Sequence, residues 1–121
     1  MPKEANPRLC SIAAALRVVG GTWTLLVVRE LFYHSHRFDV IVRNTGMSRD
    51  ILANRLRALV AEGVVERLRY CDHPPRYEYR LTRKGRDLGD VLHALMRWGE
   101  MHGDVRPDPL PVRVCARCAR V

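Results

Sequence analysis

The side chains best suited to recognise a ligand by hydrogen bonding crowd into one short stretch: Ser48, Arg49, Asp50, Asn54, Arg55 and Arg57. An arginine guanidinium pairs bidentately with a guanine edge and an asparagine amide with an adenine edge, so Arg49 and Asn54 are the candidates for reading bases. Ser48, at the start of a helix, suits a phosphate. Arg55 or Arg57, together with Arg76 farther along, suit the sugar–phosphate backbone or the minor groove. Such chemistry needs a rigid, exposed face to carry it. Residues 48–62 contain neither proline nor glycine, begin on a serine that can cap a helix and stop at Gly63, the start and stop signals of a helix. Leu52, Leu56, Leu59 and Val60 recur at helical spacing and form one apolar face. At about 100° per residue, Asp50, Asn54 and Arg57 fall on the far side, with Arg49 and Arg55 on the flanks. A second role stays open for Arg55, which could pair with Glu62 or another carboxylate and simply orient the helix.

The elements around this helix must hold it out from a core. After Gly63, residues 64–70 and 76–81 read as two short strands, joined by a link of turn formers, Cys71-Asp72-His73-Pro74-Pro75. Tyr77, Tyr79 and Leu81 alternate with Glu78 and Arg80, as in a half-buried strand. Upstream, Leu9, Ile12, Ala13, Leu16 and Val19 mark a first helix, with Cys10 in its first turn, ended by Gly20-Gly21. Thr22 is placed to cap a second helix, nearly apolar all round from Trp23 to Phe32 and so central to the core. His34-Ser35-His36 breaks the chain; Phe38, Ile41 and Val42 then mark a short third helix closed by Asn44-Thr45-Gly46. A short helix, a tight glycine turn and the Ser48 helix make a helix-turn-helix. Thr82 is placed to cap one long last helix with the apolar stripe Leu88, Val91, Leu92, Leu95, Trp98 and Met101. That stripe is longer than one small core needs, so Leu92, Leu95, Trp98 and Met101 are expected at a dimer interface. The expected fold is mainly α with a small β-hairpin (α+β): a winged helix-turn-helix with N- and C-terminal dimerisation helices. Residues 1–8 read as an N-terminal arm, 9–103 as the DNA-binding and dimerisation domain, and 104–121 as a tail.

Charge agrees with this reading. The 121 residues carry a net charge of +8. Between Ser48 and Arg86 stand ten Lys or Arg against five Asp or Glu, so +5 of that charge lies on the helix and hairpin. A basic face of this kind suits a phosphate backbone, although an arginine-rich composition could also place it there as a solvated surface. An apolar fraction of 47% argues against disorder. No apolar run approaches a membrane span of roughly 20 residues, and the N-terminus lacks the apolar core of a signal peptide. A soluble, cytoplasmic protein with no membrane partner is expected.

With these residues assembled, the chain resembles the HxlR-type transcriptional regulators, a winged-helix family of MarR-like architecture. The resemblance is carried by Cys10-Ser11-Ile12, Gly20-Gly21-Thr22-Trp23-Thr24-Leu25-Leu26, Arg37-Phe38, Gly46-Met47-Ser48, Leu52 with Arg55-Leu56-Arg57, Glu62-Gly63-Val64-Val65-Glu66-Arg67, Pro74-Pro75-Arg76-Tyr77-Glu78-Tyr79-Arg80-Leu81-Thr82, Gly85 and Trp98-Gly99. These span residues 9–102 in order. The chain departs from the pattern at Thr22, where members commonly have Lys, and at Ser11, where they often have Pro. The resemblance implies a homodimer that binds a double-stranded DNA operator, more often as a repressor than an activator. It also implies a sensing role for Cys10, since some members carry a cysteine at this place that responds to oxidants or electrophiles, sometimes through a disulfide between subunits.

The residues themselves leave Cys10 open. A helix N-terminus and the nearby Arg8 both favour a thiolate, whereas packing among Leu9, Ile12 and Leu16 would make it a small buried hydrophobe. An oxidant or a small molecule is therefore the effector to consider. Cys71, on the wing, has no partner that sequence identifies. Cys115 and Cys118 form one C-x-x-C, half of a zinc site; His93, His102 or a second tail would have to complete it, so no cofactor is expected. The five histidines are scattered, and Gly20-Gly21-Thr22 lacks phosphate-loop spacing, so an enzyme is not expected. The alternative is a winged-helix module that binds protein rather than a DNA sequence, and such a module need not be basic on its helix and wing.

Overall fold

The computed structural model describes residues 10–103; the arm, Arg8 and Leu9, and the tail with Cys115 and Cys118 lie outside them. Four helices come first: α1 (Ser11–Val19), α2 (Thr24–Phe32), α3 (Phe38–Thr45) and α4 (Arg49–Ala61). The hairpin β1 (Val65–Asp72) and β2 (Pro75–Leu81) follows, then α5 (Arg83–Arg86) and α6 (Gly89–His102). This is the mainly helical winged helix-turn-helix that the sequence implies.

The core forms where the apolar stripes of three helices meet the base of the hairpin. Val27, Val28, Leu31 and Phe32 of α2, Ile41 of α3, Leu52, Leu56 and Leu59 of α4, and Val64 and Val65 are all buried. Val60, read from its spacing as part of the apolar face of α4, is instead 39% exposed: it lies at the edge of the stripe, beside a cleft. The middle of the core also holds a charge that the apolar reading of α2 passed over. Glu30 is fully buried; its carboxylate pairs with Arg29 at 2.9 Å and accepts from the Asn44 amide at 3.0 Å. A buried carboxylate is tolerable only when so satisfied, and here the bonds tie α2 to the end of α3.

The turn into α4 follows local rules. Gly46 caps α3 in the left-handed region at φ 77°, where a side chain would be strained. Ser48 Oγ then accepts from the Ile51 amide at 3.1 Å as N-cap of α4. At the other end the helix gives way through Gly63, also at positive φ.

Elsewhere tertiary contacts revise the expected boundaries. The N-cap of α2 is Trp23 rather than Thr22, and it holds φ 79° with no side-chain cap bond. A bulky residue adopts that conformation only where its surroundings impose it: the Trp23 ring packs against the core, and the neighbouring Thr22 carbonyl is held by Arg55. The link in the hairpin is shorter than its turn formers suggest. Pairing continues to Asp72↔Pro75 beyond a bulge between Arg69 and Cys71, and the His73–Pro74 peptide is cis.

The expected single last helix is two. Thr82 caps α5, accepting from the Gly85 amide at 3.2 Å, while its hydroxyl donates to the Gly63 carbonyl at 2.5 Å and, at 3.1 Å, lies within reach of the Val64 carbonyl. A Cβ on Gly85 would come within 2.2 Å of that same carbonyl. The contact that seats α5 on the hairpin base therefore requires glycine. Lys84 Nζ donates to the Glu62 carbonyl at 2.7 Å, satisfying an acceptor at the end of α4.

Candidate nucleic-acid interface

The burial of Leu52, Leu56 and Leu59 turns the other side of α4 outward, and Ser48, Arg49, Asp50, Asn54 and Arg57 are all exposed on it. Arg49 Nη2 pairs with Asp39 Oδ1 at 2.7 Å, and the same guanidinium lies 5.0 Å from the Phe38 ring. Both partners of the ion pair are mostly in solvent, where such a pair contributes about 0–1 kcal/mol. A bidentate contact to guanine discriminates by roughly 1–3 kcal/mol, so Asp39 can orient Arg49 without withholding it from a base edge. Asn54 Oδ1 accepts from Arg57. That bond uses one lone pair and leaves the amide NH2, with the second lone pair, facing outward for an adenine.

Arg55 stands apart from this group. Its Nε donates to the Thr22 carbonyl at 3.1 Å, so it neither pairs with Glu62 nor joins the outward cluster. It braces α4 against the turn between α1 and α2. The partner of its Nε is thus a backbone carbonyl and not the carboxylate that the sequence reading offered.

Arg76 is exposed on β2 opposite Cys71. It lines a groove of about 450 Å³ with Arg37, Phe38 and Tyr70, and none of the α4 candidates reaches that groove. The sequence-derived site thus divides into a helix half and a wing half. The wing half includes cations that the sequence reading did not single out. Arg37 lies 4.6 Å over the Tyr70 ring and Arg67 lies 4.2 Å over Tyr77. Arg69 donates to Tyr77 Oη at 3.0 Å. That hydrogen bond, and the charge behind it, hold the Tyr77 phenol below its ordinary pKa and the Arg69 guanidinium above its own. Rings that support guanidiniums in this way reduce the conformational freedom lost on meeting a phosphate. The signal was present in the alternation of Arg67 and Arg69 with Tyr77 and Tyr79 across one strand face, but pairing them requires the register Arg67↔Tyr79 and Arg69↔Tyr77.

The base of the wing is fastened by His36. Its carbonyl accepts from the Tyr79 amide at 2.8 Å, and its Nδ1 lies 3.1 Å from the Tyr79 carbonyl, so Nδ1 carries the proton that is donated. Burial, reinforced by the Arg80 charge, lowers the His36 pKa.

The residues expected at a dimer interface point both ways. Leu92 packs inward on the core, whereas Leu95, Trp98 and Met101 are 50%, 65% and 74% exposed. On α1, Ile12 and Leu16 are 72% and 57% exposed. Cys10 is the N-cap of α1 rather than a first-turn residue. It is exposed, and its Sγ accepts from the Ala13 amide at 3.4 Å. Cys71 is free and partly buried. No group of three or more metal-ligating side chains occurs among the described residues, and no single helix among them is long and apolar enough to cross a membrane.

Residues 18–107 match the model of the HxlR-like helix-turn-helix family. Rv3095 of Mycobacterium tuberculosis, an HTH-type transcriptional regulator, is 43% identical over 104 residues, which cover 86% of this chain and 65% of that protein. The chain therefore spans slightly less than two thirds of that relative's length. Among solved structures, the transcription factor PA1607 superposes with a TM-score of 0.74 at 39% identity, covering 85% of this chain and 71% of the other. The redox regulator HypR in its reduced form gives a TM-score of 0.67 at 34% identity, covering 78% and 95%.

Proposed function

The chain belongs to the HxlR-like helix-turn-helix family, and from that premise we propose that it is a sequence-specific DNA-binding transcriptional repressor acting as a homodimer. The observation that carries the reading is α4: Leu52, Leu56 and Leu59 are anchored in the core, while the N-terminal half presents Ser48, Arg49, Asp50 and Asn54 to solvent. Such a helix enters a major groove by its N-terminal residues. Arg49 and Asn54 then face base edges, Ser48 and Arg57 face phosphates, and Arg76 with its neighbours on the wing reaches backbone or minor groove. The exposed apolar faces of α1 and α6 supply the surface on which two copies join, setting two reading helices at half-sites roughly 34 Å apart.

The deciding measurement is fluorescence polarisation with duplex DNA from upstream of the chain's own gene and with a scrambled duplex, at several salt concentrations. Tight binding to the first alone, falling steeply with salt, supports the reading. Equal binding to both, or affinity indifferent to salt, leaves a winged-helix module that binds protein.

Cys10 carries the regulatory part of the proposal. It is exposed at the head of α1, beside the apolar face assigned to the dimer, and the similar HypR is described as a redox regulator. Oxidation of two Cys10 thiols, one per subunit, would release two electrons and two protons to the oxidant and join the subunits through a disulfide. The change has a route to α4, because α1 leads into the strained Trp23 turn and Arg55 of α4 holds that turn at Thr22. Diamide should change operator affinity in the wild type and leave Cys10→Ser unaffected, serine being an equally good N-cap. An equal response in both proteins would exclude Cys10 as the sensor.

A further inference from the structure

Strand β1 is paired with β2 along one edge only, and the register decides which backbone groups face each side. The Thr82 amide donates to the Val64 carbonyl at 3.0 Å. By alternation Glu66 with Arg80, and Leu68 with Glu78, also face each other through hydrogen bonds. The residues between them, Arg67 and Arg69 on β1 and Tyr79 and Tyr77 on β2, turn their N–H and C=O groups away from the partner strand. On the β2 side those of Tyr79 are taken: its amide donates to the His36 carbonyl at 2.8 Å, and its carbonyl accepts from His36 Nδ1. On the β1 side, no group among the described residues takes the amides or carbonyls of Arg67 and Arg69. Beyond Arg69 a bulge interrupts the ladder, so the open stretch is short.

Such an edge is a template for another strand, and its side chains decide which. Arg67 and Arg69 stand on one face of β1, Glu66 and Leu68 on the other, all of them exposed. Among the described residues Arg67 has no carboxylate within ion-pair distance, and Arg69 has only the exposed Asp72 at 3.6 Å. A second copy is a poor occupant, because pairing two such edges about Arg67 or Leu68 sets arginine beside arginine. Duplex DNA is a poor one too, since a phosphate accepts from the amides and leaves the intervening carbonyls unpaired. We propose that the open edge of β1 takes an extended acidic segment of a partner protein as an antiparallel third strand. Acids at alternate positions lie beside Arg67 and Arg69, where opposite charges attract. The residues between them share a face with Glu66 and Leu68, so they are apolar rather than acidic. Docking there needs no residue of α4 and no DNA.

The test is a titration of the full 15N-labelled chain, without DNA, by a capped hexapeptide of alternating glutamate and valine. Saturable shifts and slowed hydrogen exchange of the Arg67 and Arg69 amides are expected. Lysine in place of glutamate should weaken binding about tenfold or more, as opposite-charge pairs become like-charge ones. N-methylation of the glutamates, whose amides face β1, should abolish binding, whereas N-methylation of the valines, whose amides face away, should leave it nearly unchanged. Arg67→Pro should also abolish it: the lost N–H points outward, so the ladder to β2 stays intact, which circular dichroism checks. Arg67→Glu with Arg69→Glu should transfer the preference to the lysine peptide, a rescue that does not depend on the proline variant folding. Shifts that fall outside β1, equal binding of the lysine peptide, or equal tolerance of the two methylations overturns the docking site. So does duplex DNA that protects the Arg67 and Arg69 amides where the peptide does not, for the edge then belongs to phosphate.

Discussion

Asn54 and Arg57 form one hydrogen-bonded pair on the outward face of α4, yet the proposed function assigns them different tasks. Asn54 offers an amide that can match one base edge. Its replacement by alanine should relax preference at a single position of each half-site, at a cost of about 1–3 kcal/mol for the preferred base. Arg57→Ala should instead weaken all duplexes alike and make the logarithmic salt slope shallower by about one per subunit. Binding curves on a panel of singly substituted operators separate the two, and identical profiles would contradict the division. His36 has a task in stability. Its native pKa is lowered by burial and by Arg80, so the unfolded chain takes up the proton at a higher pH than the folded one. The native state should therefore lose stability as pH falls through the ordinary histidine range, and the loss should accumulate down to the depressed native value. Urea melts between pH 7.5 and pH 5 should show that slope in the wild type and a flatter one in His36→Gln, whose stability will be lower throughout because the bond to Tyr79 is changed.

At the scale of the element, α4 depends on Ser48 for its start. Ser48→Ala removes the bond to the Ile51 amide and should lower stability by roughly 1 kcal/mol. Ser48→Asp keeps a capping oxygen and favours the helix dipole, so stability should hold. The added negative charge, however, would face the phosphate that the helix N-terminus is assigned. Thermal melts and polarisation together check the pair: the aspartate variant should melt like the wild type and bind DNA many-fold more weakly. An aspartate variant that bound DNA normally would remove Ser48 from the interface. The far end of the same helix is held by Lys84 and Thr82 through backbone carbonyls of Glu62, Gly63 and Val64. These bonds tie the end of α4 to the start of α5, next to the base of the hairpin.

At the scale of the molecule, the apolar faces of α1 and α6 stand uncovered in the single chain. Leu95, Trp98 and Met101 of α6 and Ile12 and Leu16 of α1 are at least half exposed, and large apolar side chains in solvent along two helices of a small domain are the surface on which the proposed dimer would form. Leu95→Gln with Trp98→Gln should give folded monomers, because neither side chain contributes to the buried core. Operator affinity should fall by orders of magnitude as two half-sites cease to be read together. Sedimentation and circular dichroism on the variant and the wild type decide the matter, and a monomeric wild type at micromolar concentration would contradict it.

The amino-acid order alone determined most of the skeleton. Ser48, Gly46 and Gly63 set the limits of α3 and α4 through bonds to residues a few positions away, and hydrophobic period set which face of α4 is buried. Such signals act within a turn or two, so they survive in a linear reading. The outward placement of Arg49, Asn54 and Arg57 follows from the same period. What a side chain touches across the fold does not. Arg55 meets Thr22 across 33 residues and His36 meets Tyr79 across 43. The last helix is divided into α5 and α6, with Gly85 of α5 lying against the Val64 carbonyl, and Trp23 holds a left-handed backbone with its ring packed against the core. The same packing makes the buried Glu30 tolerable, by bringing Arg29 and Asn44 to it. Only the tertiary structure decided these, because each depends on the relative placement of whole elements, and that placement is fixed by the shape of the shared core rather than by any one segment's periodicity.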